Sequence, residues 1–208
     1  MALLEVRNLV KCHGDKTVLD GVSFELEEGE AKVIMGPSGC GKSTLLRCLN
    51  LLHEPTSGAI LFDGEDVTHP GVDVRALRSR IGFVFQNFAL YRHMSVLDNV
   101  SLALRRLKKL PRREAEDRAL AMDPKVLFFD EPTSALDPIM VREVVTLINR
   151  LYLDNVTILC VTHDLGLARH ISDRVVFLDR GRVHAEDRIE HLLERDDEVI
   201  DEFFGGEG

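Results

Sequence analysis

The sequence predicts an α/β fold with a mostly parallel sheet and an antiparallel β part at its N-terminus. Apolar runs suited to buried parallel strands alternate with helical stretches over most of the 208 residues. The first thirty residues instead alternate apolar and polar positions between turns. A glycine-rich phosphate-binding motif lies between the first apolar run and the first helix, which is the context that this motif requires.

The N-terminal part is predicted to form short antiparallel strands. Alternation of apolar and polar residues covers Leu4–Leu9, Thr17–Leu19 and Val22–Leu26, and turns are expected at His13-Gly14 and Glu28-Gly29.

The remaining elements follow from apolar runs and helical periodicity. The predicted parallel strands are Lys32–Met35, Ile81–Phe85, Val126–Phe129, Thr157–Val161 and Val175–Leu178. The predicted helices are Lys42–Leu51, Ser95–Leu107, Asp137–Tyr152 and Asp164–Ile171. Asp137 followed by Pro138 favours a helix start, because Asp caps the first N–H groups and Pro fits the first turn.

The motif Gly36-Pro-Ser-Gly-Cys-Gly-Lys-Ser43 fits the phosphate-binding pattern G-x-x-x-x-G-K-[ST]. Its glycines let the backbone N–H groups turn toward phosphate oxygens, and the helix start behind it adds a favourable dipole. We expect Lys42 to reach the β- and γ-phosphates and Ser43 to place its hydroxyl on Mg²⁺. We interpret Cys40 as a small filler residue, with oxidation or alkylation of its thiol as the alternative.

Polar side chains follow three other predicted strands. Asp130 and Glu131 end the run from Val126, where Asp130 is expected to hold Mg²⁺ and Glu131 to polarise a water against the γ-phosphate. Gln86 offers an amide oxygen to the metal, and His163 can donate a hydrogen bond to the γ-phosphate. Parallel sheets bind ligands at the carboxyl ends of their strands, so we expect these residues to meet.

Composition excludes several classes of protein. The net charge is −9, and residues 186–208 contribute −8 of it, so a nucleic-acid partner is not expected. A basic run at residues 105–113 is interpreted as a solvated helix face, with a partner or membrane-surface contact as the alternative.

No apolar stretch approaches the roughly 18 residues of a membrane span, and the first residues do not resemble a signal peptide. The four cysteines form no C-x-x-C pair and are expected to be reduced thiols.

On these motifs the chain resembles the ATP-binding cassette (ABC) family of transporter ATPases over nearly its whole length. Residues 36–44 resemble its Walker A loop, 85–86 its Q-loop, 127–138 its Walker B motif and D-loop, and 162–164 its switch-histidine segment. The cofactor-binding residues that the resemblance implies are His13, Gly36, Pro37, Ser38, Gly39, Cys40, Gly41, Lys42, Ser43, Thr44, Gln86, Asp130 and Asp137. In the family an aromatic residue stacks on adenine at the position of His13, and a plain turn residue is the alternative interpretation.

The resemblance implies a function and partners. The chain is expected to bind ATP and Mg²⁺, with Ser43, Gln86 and Asp130 as metal ligands and Glu131 and His163 as catalytic residues. It is expected to pair with a second ABC ATPase subunit and to act in the cytoplasm, on the inner face of the membrane, through transmembrane permease subunits. Three segments resemble the branch that serves polar amino-acid importers: Cys48–Gly58, Asp63–Val67 and Val84–Leu90. The alternatives are an ATP-binding module that does not hydrolyse, and a soluble ABC ATPase of repair or translation.

One segment of the family pattern is missing. Members carry a signature close to Leu-Ser-Gly-Gly-Gln between Q-loop and Walker B, whereas here only 44 positions separate Gln86 from Asp130 and no such motif occurs. The gap indicates a deletion, natural or introduced, or a disordered segment that the sequence omits. Hydrolysis is expected to be impaired if the deletion is real.

The resemblance also implies a domain layout, with residues 1–208 as a single nucleotide-binding domain. Within it, 1–30 and 59–63 are expected to form the antiparallel β part, and 31–58, 73–86 and 125–185 the P-loop, RecA-like core. Residues 87–124 are expected to be the remnant of a truncated helical subdomain, and 186–208 an acidic helical tail.

Overall fold

The computed structural model describes residues 2–86, 105–106, 109–114, 124–134 and 136–205. Most of the helix predicted over Ser95–Leu107, and most of the predicted helical subdomain, lie outside these ranges.

An antiparallel sheet of four strands forms the N-terminal part, as predicted. Its strands are β1 (Ala2–His13), β2 (Lys16–Glu27), β4 (Ser57–Phe62) and β5 (Glu65–Asp66), in the spatial order β2-β1-β4-β5. Both predicted turns, after His13 and after Glu27, are present.

The two strands predicted over residues 17–19 and 22–26 are in fact one strand, β2. Gly21 lies between them with φ of 76°, and the register with β1 shifts there, since Leu9 pairs with Val22 and Val10 with Asp20. Gly21 is therefore a bulge in a continuous strand, because a glycine can adopt this conformation without steric cost.

In the described part of the chain the core is a six-stranded sheet in the order β10-β9-β3-β8-β7-β6, in which only β10 runs antiparallel to its neighbour. Its strands are β3 (Ala31–Met35), β6 (Ile81–Val84), β7 (Val126–Asp130), β8 (Thr157–Val161), β9 (Arg174–Asp179) and β10 (Arg182–Arg188). All five predicted parallel strands are confirmed to within one residue at either end.

Six described helices connect or follow the strands. They are α1 (Lys42–Leu49), α2 (Val74–Ser79), α3 (Pro138–Leu153), α4 (Leu165–Ile171), α5 (Ile189–Leu193) and α6 (Glu198–Gly205). Asp137 caps α3, since its carboxylate accepts hydrogen bonds from the N–H groups of Ile139 and Met140, and Pro138 occupies the first turn as predicted.

The parallel strands are apolar on both faces because the sheet separates two cores. Ile34 of β3 belongs to the core under the antiparallel sheet, whereas its neighbours Val33 and Met35 belong to the core on the opposite face. The same alternation holds in β9 for Val176 and Phe177. Burial on both faces explains why these strands read as continuous apolar runs in the sequence.

The acidic tail begins later than predicted. Glu186, Asp187 and Arg188 are not helical but pair with β9 as the end of β10. This strand was not predicted, because only Val183 and Ala185 alternate within an otherwise polar sequence. Pairing with β9 after the turn at Arg180-Gly181 determines its conformation.

None of the helices in the described ranges is both long enough and apolar enough to cross a membrane.

Candidate functional site

The phosphate-binding loop connects β3 to α1 and is held in a tight curve by its glycines. Gly36, Gly39 and Gly41 all have positive φ, of 143°, 79° and 112°. A Cβ atom on Gly36 would lie 2.0 Å from the carbonyl oxygen of Leu178 in β9, so no larger residue fits there without movement of the backbone. The N–H of Gly181 donates to the carbonyl of Cys40 at 3.0 Å, which ties the loop to the β9–β10 turn.

Lys42 is the buried cation of this loop. Its ammonium donates to the carbonyl oxygens of Gly36 at 2.6 Å and Pro37 at 3.0 Å, and only 7% of the residue is exposed. The side chain therefore folds back over the loop to which it belongs. An ammonium has three donors, so the positive charge can contact a bound anion within the loop.

A hydrogen bond between Ser43 and Asp130 connects the phosphate loop to strand β7. The hydroxyl of Ser43, in the first turn of α1, donates to Oδ1 of Asp130 at 2.7 Å, and Asp130 is the last residue of strand β7. Asp130 is almost fully buried, and its Oδ2 accepts no hydrogen bond from the described residues. Arg47, one turn further along α1, lies 3.8 Å from that oxygen.

This donor set fits Mg²⁺. Asp130 offers a buried carboxylate oxygen without a hydrogen-bond partner among the described residues, beside the hydroxyl of Ser43, and the amide of Gln86 lines the same cavity as Ser43; these are the hard oxygen ligands that Mg²⁺ prefers. Ser43, Gln86 and Asp130 are therefore the residues that would hold the ion.

Glu131 and His163 form the other half of the site. Glu131 follows β7 with φ of 52°, a left-handed conformation that is rare for a residue with a side chain, and its N–H donates to the carbonyl of Val161 at 2.9 Å. Nδ1 of His163 lies 2.9 Å from Oε2 of Glu131. Strained conformations concentrate at functional sites, and here the backbone directs a mostly buried carboxylate toward the phosphate loop.

The structure brings most of the predicted residues around one cavity. This cavity has a volume of about 220 Å³ and is lined by Val18, Ser38, Gly39, Gly41, Lys42, Ser43, Thr44, Gln86 and Glu131. Val18 and Arg47 are the site residues that were not predicted. Arg47 could have been found from its helical i+4 spacing to Ser43, whereas Val18 has no local signal because β2 is remote in sequence.

Seven predicted residues lie outside the lining of this cavity: Gly36, Pro37, Cys40, Asp130 and His163, which are described above, and His13 and Asp137. His13, exposed at the end of β1, meets the ring of His53 at 5.4 Å between centroids and at nearly a right angle. Burial, followed by the charges of Arg47, His13 and Lys11, lowers the pKa of His53. Asp137 caps α3, as described above, and its role toward a nucleotide stays a prediction.

The thiols near the site are poorly ionised. Burial raises the pKa of Cys40, and it raises the pKa of Cys48 to about 11. Since the thiolate is the reactive form, these environments favour the interpretation of Cys40 as a filler residue in the loop.

Sequence comparison places this geometry in a family. The ABC transporter family profile matches residues 19–118, and an AAA-domain profile, described as a putative AbiEii toxin of a type IV toxin–antitoxin system, matches residues 100–169. The glutamine transport ATP-binding protein GlnQ of Geobacillus stearothermophilus is 39% identical over 209 aligned positions, covering 85% of this chain and 86% of that protein. The chain belongs to the ABC transporter family.

Two further relatives support the assignment of this cassette. The general L-amino acid transport ATP-binding protein AapP of Rhizobium johnstonii is 37% identical, with 86% of this chain and 83% of that protein covered. Among solved structures, the dimeric ATP-binding cassette MJ0796 in a post-hydrolysis state with ADP and Pi aligns with a TM-score of 0.73 and 30% identity, covering 89% of this chain and 98% of that chain. The fold is therefore that of an ABC ATPase.

The alignment with GlnQ also shows that some positions of the relative have no counterpart in this cassette. The 209 aligned positions span 85% of 208 residues, which is about 177 residues, so about 32 positions of the GlnQ alignment have no counterpart in the cassette. A shortfall of this size agrees with the short distance between Gln86 and Asp130, where the signature segment is missing.

Proposed function

We propose that this cassette is the ATP-binding and ATP-hydrolysing subunit of a membrane importer for polar amino acids. The observation that carries the proposal is the hydrogen bond between Ser43 and Asp130, which joins the phosphate loop to the carboxylate at the end of β7 beside the buried Lys42. The names of the relatives, which specify transport of glutamine and of L-amino acids, support the choice of solute class.

In this proposal the phosphates of ATP bind along the loop from Gly36 to Thr44. Lys42 exchanges its contacts with the loop carbonyls for phosphate oxygens and neutralises part of their charge. Ser43, Gln86 and Asp130 would hold Mg²⁺, which would supply positive charge next to the phosphates when bound.

Glu131 acts as the general base. Its carboxylate faces the cavity of the phosphate loop, where a water in contact with Oε1 or Oε2 can transfer a proton to it during attack on the γ-phosphate. His163 holds Oε2 through Nδ1 and orients the carboxylate, and it can in turn contact the γ-phosphate. Asp137, which caps α3, stays a predicted nucleotide-binding residue.

The partners follow from the same assignment. Two cassettes would face each other with ATP between them, and closure would be transmitted to transmembrane permease subunits at the inner face of the membrane. The missing positions favour one second candidate, an ATP-binding module that binds but does not complete hydrolysis alone, because the signature of each cassette contacts the γ-phosphate held by the other.

We expect Glu131→Gln to stop hydrolysis without weakening ATP binding. The amide keeps the shape and hydrogen bonding of the side chain but cannot accept the proton. The assay mixes this chain with a relative that has the signature but whose own equivalent glutamate is replaced by glutamine, so that phosphate release comes from the site on this chain. Glu131→Gln should lower this phosphate release at least about a hundredfold. Phosphate release and fluorescent-nucleotide binding are measured together.

The matched control is Glu28→Gln, an exposed glutamate in the turn after β2. It should leave both binding and release unchanged. Full phosphate release from the Glu131→Gln variant would transfer the role of base to another residue, with Asp130 and His163 as the candidates.

A second prediction concerns the adenine base. If His13 stacks on adenine, His13→Tyr should keep or improve ATP affinity, because a larger ring fills the same role. His13→Ala should lose about 1 kcal/mol, the size of an aromatic stacking contribution. Titration calorimetry of the three proteins decides the matter, and equal affinities would make His13 a plain turn residue.

A further inference from the structure

Helix α3 presents an exposed apolar face that the proposed function does not use. Of its sixteen residues only Ile148 is fully buried. Ile139, Leu147 and Leu153 keep 73%, 53% and 82% of their surface exposed, and Met140 keeps 41%. At 100° per residue these four side chains lie on one side of the helix. Such a concentration of exposed apolar side chains marks an interaction surface.

Two opposite charges lie on the same face. Glu143 and Arg150 are both exposed and form no ion pair with other described residues. They are seven positions apart, which separates them by about 10 Å along the helix, so they do not reach each other within one copy.

The order of these residues is self-complementary. From its N-terminus the face contains Met140, Glu143, Leu147, Arg150 and Leu153, that is, apolar, acidic, apolar, basic and apolar. Two antiparallel copies that cross at Leu147 therefore place each Glu143 opposite the other copy's Arg150. They also place each Met140 opposite Leu153, and the two Leu147 side chains against each other.

We propose that α3 is a docking surface for a second copy of this chain, with a two-fold axis at Leu147. The charge pattern selects this partner, because a copy in the antiparallel orientation satisfies both ion pairs and covers the apolar residues at once. The association needs no nucleotide and is independent of the proposed function.

The size of the face limits the affinity. Sixteen helical residues span about 24 Å, and one helix pair buries less than the roughly 800 Å² per partner of a standard interface. We therefore expect a reversible monomer–dimer equilibrium with a dissociation constant between about 10 and 100 μM.

Sedimentation equilibrium of the full chain, with EDTA and no nucleotide, tests the proposal. The protein concentration is varied from about 5 to about 200 μM, a roughly fortyfold range that includes the expected dissociation constant. Over this range the average mass should rise from near 23.4 kDa toward twice that value. Addition of Mg·ATP should leave the dissociation constant unchanged. A mass that stays at that of one chain at the highest concentration would overturn the proposal.

Charge exchange identifies the surface. Glu143→Arg alone and Arg150→Glu alone each create two like-charge contacts per dimer, and each should weaken association at least about tenfold. The double variant restores opposite charges and should return to within about threefold of the original constant. A double variant as weak as the single ones would contradict antiparallel pairing on α3.

Leu147→Glu provides a second test, because it introduces a charge from each copy at the axis, and the variant should be monomeric. Tyr152→Glu is the matched control, since Tyr152 is 44% exposed on the same helix but lies on its other side. Circular dichroism of every variant confirms that the fold is kept. Dimerisation that survives Leu147→Glu, or that is lost in a folded Tyr152→Glu variant, would place the interface elsewhere.

Discussion

Replacing Lys42 by alanine is expected to abolish measurable Mg·ATP binding while the fold survives. Lys42 is the cation whose ammonium lies inside the phosphate loop, on the carbonyls of Gly36 and Pro37. Arg47, another cation near the site, lies against Asp130 instead. Hydrogen bonds to charged groups contribute about 1.5–3 kcal/mol each, so the loss of two such bonds to phosphate oxygens lowers affinity by more than about a hundredfold.

Titration calorimetry with Mg·ATP measures this loss, and circular dichroism checks the fold. Lys16→Ala, at an exposed position at the start of β2, is the matched control and should bind ATP as the unaltered chain does. The loop glycines and the contacts to Leu178 and Gly181 remain in the Lys42→Ala variant, so the protein should still fold. Unchanged ATP affinity in a folded variant would refute the assignment of this loop as the nucleotide site.

The 208-residue cassette, which has no signature segment, is expected to bind Mg·ATP as a monomer and to hydrolyse it barely above background. In the family the signature of one cassette contacts the γ-phosphate held by the other and stabilises the charge that develops as the phosphoryl group leaves. Loss of a preorganised donor set of this kind raises the barrier by about 3 kcal/mol or more, which slows hydrolysis at least about a hundredfold. Without the signature, the γ-phosphate held by one cassette no longer contacts the other cassette, so ATP should not drive the two cassettes to close on each other.

Steady-state phosphate release and light scattering, with and without ATP, test this expectation. The protein concentration is kept near about 1 μM, far below the range in which α3 is proposed to self-associate. The intact mass is measured first, since a value near 23.4 kDa establishes that the segment is missing. A chimera that carries the corresponding segment of the Geobacillus relative is the matched control and should regain hydrolysis. Rapid turnover and ATP-dependent dimerisation by a chain of this mass would show that the role assigned to the signature is wrong for this protein.

Much of the site could be predicted because its signals are local. The phosphate-loop pattern carries its own conformational requirements, since three glycines with positive φ and a following helix are encoded in eight consecutive residues. The parallel strands were found to within one residue because burial on both faces leaves them with almost no polar positions. The cap at Asp137 is equally local, since the carboxylate and the N–H groups that it accepts from are two and three positions apart.

Elements without such local signals were missed or divided. Strand β10 has a polar sequence and forms because the turn at Arg180-Gly181 brings it against β9. Strand β2 was divided at Gly21 because a bulge and a turn have the same sequence signal, and only pairing with β1 distinguishes them. Val18 reaches the phosphate cavity from this strand, which is remote from the loop in sequence.

The sequence alone predicted which residues carry the chemistry, because phosphate binding and proton transfer need particular side chains in fixed local patterns. The tertiary structure decided how those side chains meet. Ser43 and Asp130 are 87 positions apart, and their hydrogen bond exists because the sheet places β7 beside the start of α1. Glu131 takes its left-handed conformation beside β8, where its N–H bonds to Val161 and its carboxylate meets His163. Strand order and these contacts result from packing of both faces of the sheet at once, and packing between distant segments leaves no pattern within any one of them.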